Sequence, residues 1–144
     1  MTLTGACVFC EIVAGTSPGF EVFRDDTTMG FLDRKPLFPG HVLVVPLDHH
    51  ETLTTLPPDL VEPLFANARR LATLMETSLG AEGSFVALNN RVSQSVPHLH
   101  VHVVPRRRKD GLRGFFWPRN PYNDHAHAAA TARQLSTAWE AHTE

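Results

Sequence analysis

The stretch SQSVPHLHVHVVPRRR, Ser93 to Arg108, places His98, His100 and His102 at strict two-residue spacing, with Leu99, Val101 and Val103 between and after them. A period of two is that of a β-strand, so the histidines share one face and the aliphatic residues turn to a core. At a rise of about 3.3 Å per residue, neighbouring histidines lie roughly 6–7 Å apart and the outer two roughly 13 Å. One metal ion with bonds of about 2 Å takes two adjacent members, but not His98 and His102 together. At least one of the three therefore has another task. Neutral imidazole is a nucleophile and proton carrier whose ordinary pKa lies near neutrality. The preceding Ser93, Gln94 and Ser95 form a polar turn that offers hydroxyl, amide and backbone N–H donors to phosphate oxygens.

Working outward, HVLVVP (His41 to Pro46) is an apolar, β-branched run bounded by Pro39-Gly40 and by Pro46, hence a buried strand. EVFRDD and TMGFLD read as two short strands around Asp25-Asp26, and SFVALNN and PHLHVHVVP as two more. Between them, Leu60, Leu64, Phe65, Ala68, Leu71, Ala72, Met75 and Leu79 recur on one face of a helix. Its expected N-cap is Asp59 and its stop Gly80, with Pro63 tolerated in the first turn. Ala126 to His142 is expected to form a terminal helix behind Asp124. The fold class is α+β: one antiparallel sheet of about five strands with one long central helix and a C-terminal helix. The segment DGLRGFFWPRNPY fits neither period and reads as an ordered loop or a packing surface.

The chain has 144 residues, 42% hydrophobic and 19% charged, with a formal net charge of −2. That length suits one domain, here taken as residues 1–144 with 109–144 as a variable C-terminal segment. The balance of charge gives no support to nucleic acid as a partner, which needs a strong basic excess. The run Arg106 to Lys109 reads as a solvated turn. No apolar stretch of about eighteen residues is present, so no membrane partner is expected. The N-terminus lacks a basic leader with an apolar run, and both cysteines sit in one C-x-x-C pair; a cytoplasmic chain is the expectation.

His98-Leu99-His100-Val101-His102-Val103-Val104 resembles the signature of the histidine triad superfamily of nucleotide hydrolases and transferases. CVFCEIVAG, FLDRKPLFPGHVLVVPLDHHETL and QSVPHLHVHVVPR extend the resemblance over most of the chain, and it weakens after Arg108. The resemblance implies a homodimer and an adenine nucleotide substrate. His100 would attack the α-phosphorus of a nucleoside-monophosphate unit and form a covalent nucleotidyl-imidazole that water then releases. His98, His102 and His41 match positions that orient the nucleophile or contact phosphate. Asn90, Gln94 and Ser95 match the loop that binds the phosphate and leaving group. Asp33 matches a carboxylate that accepts from both ribose hydroxyls, and Val8, Phe9, Phe31 and Leu32 match the slot for the base. An apolar, aromatic slot suits a flat base and a carboxylate suits a vicinal diol, although Phe9 and Phe31 also read as core and Asp33 as a turn cap. The loop NNRVSQS is shorter than the Gly-rich loop of many relatives, which bears on leaving-group preference. His102 stands where the phosphorylase and uridylyltransferase branches carry Gln, which favours a hydrolase of dinucleoside polyphosphates or nucleoside phosphoramidates.

Cys7 and Cys10 suit zinc, but two ligands do not close a structural site. In some bacterial members the set is completed by residues that match His49 and His98 here, and Cys2His2 is a sound tetrahedral set. His50 is a competing ligand, and a redox dithiol or two unrelated buried thiols are the other readings of the pair. Two rival functions stand beside the hydrolase: a nucleotide-binding regulatory module with little turnover, and a metal-dependent hydrolase that uses His98 and His100 as ligands. Phe115, Phe116, Trp117 and Tyr122 are the residues that suggest an interface for the homodimer.

Overall fold

The computed structural model describes residues 7–113 and 118–142. The chain divides into two compact units, Met1–Asp110 and Gly111–Glu144. The first holds a five-stranded sheet with strands β1 (Glu21–Arg24), β2 (Thr28–Leu32), β3 (Val42–Pro46), β4 (Gly83–Ala87) and β5 (Val101–Arg106). All neighbours are antiparallel, in the order β1-β2-β3-β5-β4. Helices α1 (Val8–Ala14) and α2 (Val61–Leu79) belong to the same unit, as the expected α+β class requires.

β3 is the middle strand, and every one of its residues is buried. Val42 and Val44 pack with Leu64, Ala68, Leu71 and Met75 of α2. Leu43 and Val45 pack with Phe9 and Ile12 of α1. A strand covered on both faces needs a continuous apolar run, which VLVVP supplies. Burying Leu64, Leu71 and Met75 contributes about 1.5–3 kcal/mol each. α1 is too short to hold itself by propensity. Its ends are capped by the Cys7 thiol, which accepts the Cys10 N–H at 3.3 Å, and by Gly15 in the left-handed region at φ 82°. The buried rings and branches of Phe9 and Ile12 do the rest.

Three boundaries differ from the sequence expectation. The histidine strand begins at Val101, not Pro97, so His98 and His100 lie in its lead-in. β3 pairs β5 only over Val42–Val44, and one step beyond Val45 stands Pro46, which has no N–H to donate. The alternation survives the loss of the ladder: Leu99 is fully buried against the α2 side, and its N–H reaches the His50 carbonyl at 2.7 Å. β4 ends at Ala87, short of Asn90. Asp59 is not the cap of α2; it sits in a 3₁₀ turn, Pro58–Leu60, and Leu60 occupies the N-cap without a side-chain bond. Gly80 ends α2 in the left-handed region, as expected.

The three arginines of the basic run are paired. Arg106 grips Asp110 at 2.6 and 2.9 Å, Arg107 donates to the Leu79 carbonyl at the end of α2, and Arg108 meets Glu82 at 2.8 Å. In the second unit α3 spans His125–Ala141, and the Asp124 carboxylate accepts the His127 N–H at 2.8 Å, as the expected N-cap. Of the residues that suggested an interface, Phe115, Phe116 and Trp117 lie outside the described residues; the Tyr122 ring is 5.4 Å from that of His127. No helix among the described residues is long and apolar enough to cross a membrane.

Candidate active site and metal centre

A cleft of about 790 Å³ opens on the α1 face of the sheet. Val8, Phe9, Phe31, Leu32, Asp33, Ser95, His100 and His102 all line it. These come from four separate segments, and the antiparallel register is what collects them. His102 of β5 is opposite Leu43 of β3, and Leu43 is opposite Phe31 of β2. Paired residues share a face, so the histidine strand and the aromatic strand meet across Leu43, a cleft residue that the alternation within β3 could have indicated. Phe9 packs edge-on against Phe31, His100 and His98, with centroids 5.4, 5.1 and 6.0 Å away.

Hydrogen bonds fix which nitrogen of each ring carries the proton. His100 Nδ1 lies 2.7 Å from the His98 carbonyl, which only accepts, so Nδ1 carries the proton and Nε2 keeps its lone pair. The Leu37 N–H donates to His41 Nδ1 at 3.1 Å, which puts the His41 proton on Nε2. That nitrogen is 3.0 Å from His102 Nδ1 and 3.5 Å from an Asp33 oxygen. His102 Nδ1 is thereby an acceptor, and His102 carries its own proton on Nε2. Burial lowers His102 to about 4, helped by the neighbouring His100 and His41. Burial also lowers His41 and His100, against the opposing pull of Asp33 on both and of the His98 carbonyl on His100. These three rings are neutral at neutral pH.

Asp33, His41 and His102 place their ligand atoms within 4.8 Å of one another. A metal on His41 Nε2 would need the proton moved to Nδ1, where it would face the Leu37 N–H. The cluster is a hydrogen-bonded relay instead. Asp33 is also a turn cap, since its Oδ1 accepts the Lys35 N–H at 2.9 Å.

The expected loop residues part company. Asn90 accepts the Leu53 N–H at 2.8 Å, while Gln94 accepts the Arg91 N–H and donates to the Glu51 carbonyl, both at 2.7 Å. Their side chains brace the loop, in which Arg91 and Ser93 take left-handed backbone at φ 70° and 62°. Such non-glycine residues cost about 1–3 kcal/mol each, and dense local bonding is what sustains them. Ser95 is the residue of this trio that lines the cleft.

Behind the cleft, Cys7, Cys10, His49 and His98 bring four donor atoms within 4.8 Å of one another. His98 Nδ1 is 3.5 Å from both thiol sulfurs, and His49 Nδ1 is 3.2 Å from that of Cys10. His98 Nε2 donates to the Pro46 carbonyl at 3.0 Å, so the lone pair is on Nδ1, aimed at the thiols. A second-nitrogen bond to a carbonyl is the usual way a ligating imidazole is oriented. Burial lowers His98 to about 4, which keeps that lone pair free of a proton. Two sulfurs and two such nitrogens fit a tetrahedral zinc ion. His49, rather than His50, is the histidine gathered here. Among the described residues, His98 gathers with Cys7, Cys10 and His49, and no group of three or more ligand atoms holds both His98 and His100.

A neutral imidazole whose Nδ1–H is bonded to a carbonyl, at one end of an apolar cleft and beside a second imidazole, is a group able to act as nucleophile or base. The chain belongs to the histidine triad family: the HIT domain model matches residues 14–109. An adenylylsulfatase of Arabidopsis thaliana is 33% identical over 113 residues, which is 77% of this chain and 57% of that protein, so the chain spans a little over half of that relative. An adenosine 5′-monophosphoramidase of Candida albicans is 30% identical over 124 residues, 82% of each chain. A Zn-bound histidine triad family protein from Mycobacterium smegmatis superposes with a TM-score of 0.73 at 36% identity, covering 94% of this chain and 99% of that one.

Proposed function

We propose that the protein is a nucleotide hydrolase that cleaves at the α-phosphate of dinucleoside polyphosphates or nucleoside phosphoramidates through a nucleotidyl-histidine. The observation that carries this reading is the 2.7 Å bond from His100 Nδ1 to the His98 carbonyl. The Nε2 lone pair attacks phosphorus, and the bond from phosphorus to the leaving group breaks with its electron pair. A leaving oxygen departs as a phosphate anion, and a leaving nitrogen takes a proton from solvent and departs as the neutral amine. The imidazole becomes cationic in this step, and an N–H already bonded to a carbonyl strengthens as charge develops. His102 Nε2–H and the Ser95 hydroxyl donate hydrogen bonds to the departing atom or the phosphate oxygens. Water then attacks the same phosphorus, the P–N bond breaks, the lone pair returns to Nε2 and the water's proton passes to solvent. Asp33 accepts from the ribose hydroxyls, and Val8, Phe9, Phe31 and Leu32 flank an adenine base.

Cys7, Cys10, His49 and His98 would hold one zinc ion, a cation that neutralises two thiolates and fastens α1 to the lead-in of β5. The support is the oriented His98 lone pair and the Zn-bound relative. Residues 1–144 act as one histidine triad domain with a variable C-terminal segment from 109, in a cytoplasmic homodimer. Rapid quench with α-labelled substrate tests the central claim: acid-labile label should appear on the chain, with a nucleoside monophosphate as product. Turnover with no labelled protein at any quench time would replace the covalent route with direct attack by water.

A further inference from the structure

The row of paired residues that crosses the cleft continues past Phe31 into β1. Phe31 is opposite Glu21 of β1, so His102, Leu43, Phe31 and Glu21 form one line across four adjacent strands. Three strand spacings make that line roughly 14 Å long. Phe20, which immediately precedes β1, lines the same cleft, yet its ring is 75% exposed. A single exposed apolar side chain needs no explanation by itself. Phe20 differs because its backbone is held on both sides. Its carbonyl accepts the Leu32 N–H at 3.0 Å, and the Pro18 carbonyl accepts from the Arg34 guanidinium at 3.3 Å. Between them Gly19 lies tight on Ile12; a Cβ there would stand 2.8 Å from the Ile12 Cγ2 methyl. A wet aromatic ring on a fixed backbone, at the far end of a cleft that starts at a nucleophile, is built to receive a flat ligand edge. Glu21 does not block the approach, since its carboxylate turns to Arg24 at 3.5 Å.

We infer that Phe20 is a specificity-determining residue that stacks on the outer ring of the base and selects purine over pyrimidine nucleotides. The inference rests on the nucleotide reading above. With phosphorus at His100 and the ribose at Asp33, the base runs along the row toward β1. A purine is joined to the sugar through its five-membered ring, so its six-membered ring projects farthest along the row. A pyrimidine ends one ring earlier, over Phe31, and does not reach Phe20. The residue therefore adds stacking energy to one class of base alone.

Titration calorimetry with the 5′-monophosphates of adenosine, guanosine, cytidine and uridine tests this on the full chain. The wild type should bind both purine nucleotides at least about fivefold more tightly than either pyrimidine nucleotide, the low end of the worth of one stacked base. Phe20→Ala should weaken purine binding about 5- to 100-fold, change pyrimidine binding less than about twofold, and leave the melting temperature within a few degrees. Phe20→Trp should keep the purine preference. Equal losses for purines and pyrimidines, or no loss in Phe20→Ala, would overturn the assignment while nucleotide binding stood. Failure of the wild type to bind any of the four would overturn the nucleotide reading and the role of Phe20 with it.

Discussion

His41 Nε2 stands 3.0 Å from His102 Nδ1, and the backbone N–H of Leu37 stands 3.1 Å from the far nitrogen of His41. A main-chain amide cannot change its role, so the proton positions of both rings are set by the peptide group of Leu37. His102 is left presenting an N–H rather than a lone pair to the cleft. In the proposed reaction His41 would act through His102, as a positioning residue. His41→Ala should lower kcat about 10- to 100-fold, the usual cost of losing a partner that orients an imidazole. His41→Gln, whose amide can donate to His102 Nδ1, should recover part of the loss. Equal kcat in the two variants would mean that donation to His102 is not the property that matters.

His100 bears the sharper expectation. His100→Ala should lower kcat by at least ~10³-fold, as loss of a nucleophile does elsewhere. Its affinity for a nucleoside monophosphate should change far less, because the proposed base and ribose contacts come from other segments: α1, Phe20, the end of β2 and Asp33. Steady-state rates and calorimetry on the same preparation check both halves. Near-normal turnover, or a loss that follows metal content, would remove His100 from the chemistry.

Asp33 makes a separate prediction about sugar. Its Oδ2 is directed to the histidine side of the cleft, while Oδ1 is tied to Lys35. Ribonucleotides should bind about tenfold more tightly than 2′-deoxy analogues, since a hydrogen bond to a charged group is worth about 1.5–3 kcal/mol. Asp33→Asn should narrow that ratio, and competition binding would show it. An unchanged ratio would return Asp33 to its role as a turn cap.

Acid should act on this fold through its histidines. A ring with a folded-state pKa near 4 and an unfolded one near 6.5 binds its proton more readily in the unfolded chain. The stability that His102 contributes is fully present above about pH 6.5 and is lost as pH falls from there to about 4. Each such ring adds a slope of at most about 1.4 kcal/mol per pH unit within that window. Urea midpoints measured from pH 7.5 down to 4.5 should fall continuously, and His102→Gln should flatten the curve. The acid limb of kcat should lie below 6.5, the direction in which burial moves His100. An inflection at 6.5 would show a ring that titrates as if in water.

Metal content is the remaining test of the thiol cluster. Protein purified without added metal should contain about one zinc per chain, and Cys10→Ser or His49→Ala should lose it. A ligand held at about a hundred times its dissociation constant contributes about 2.7 kcal/mol, or roughly 10 °C for a unit of this size. Stripping by a chelator should lower the melting temperature by that order. A folded, metal-free protein with freely titrating thiols would abolish the site.

The histidine face and the buried VLVVP strand were legible because each shows its period within a few residues. The place where the ladder stops was written there too, in Pro46, but only register shows that Pro46 falls opposite the lead-in of β5. His49 and His50 are indistinguishable by chemistry; the fold separates them by tying the His50 carbonyl to Leu99. Leu43 and Phe20 carry no motif, and both join the cleft through pairings between strands distant in sequence. Asn90 and Gln94 matched by position, whereas their side chains serve the backbone of a loop too short for glycines.

α1 is about two turns of helix that carries Cys10, has Cys7 as its N-cap, and sends Val8, Phe9 and Ile12 into the cleft. A metal ion at the sulfurs and a nucleotide in the aromatic slot would therefore share a single docking equilibrium, that of α1 on the sheet. Two ligands that stabilise the same docked state are thermodynamically linked, and the coupling is reciprocal. If occupancy at the thiols tightens nucleotide binding tenfold, nucleotide must tighten the thiol ligand tenfold, although the two never touch. The supply of one would then set how firmly the protein keeps the other.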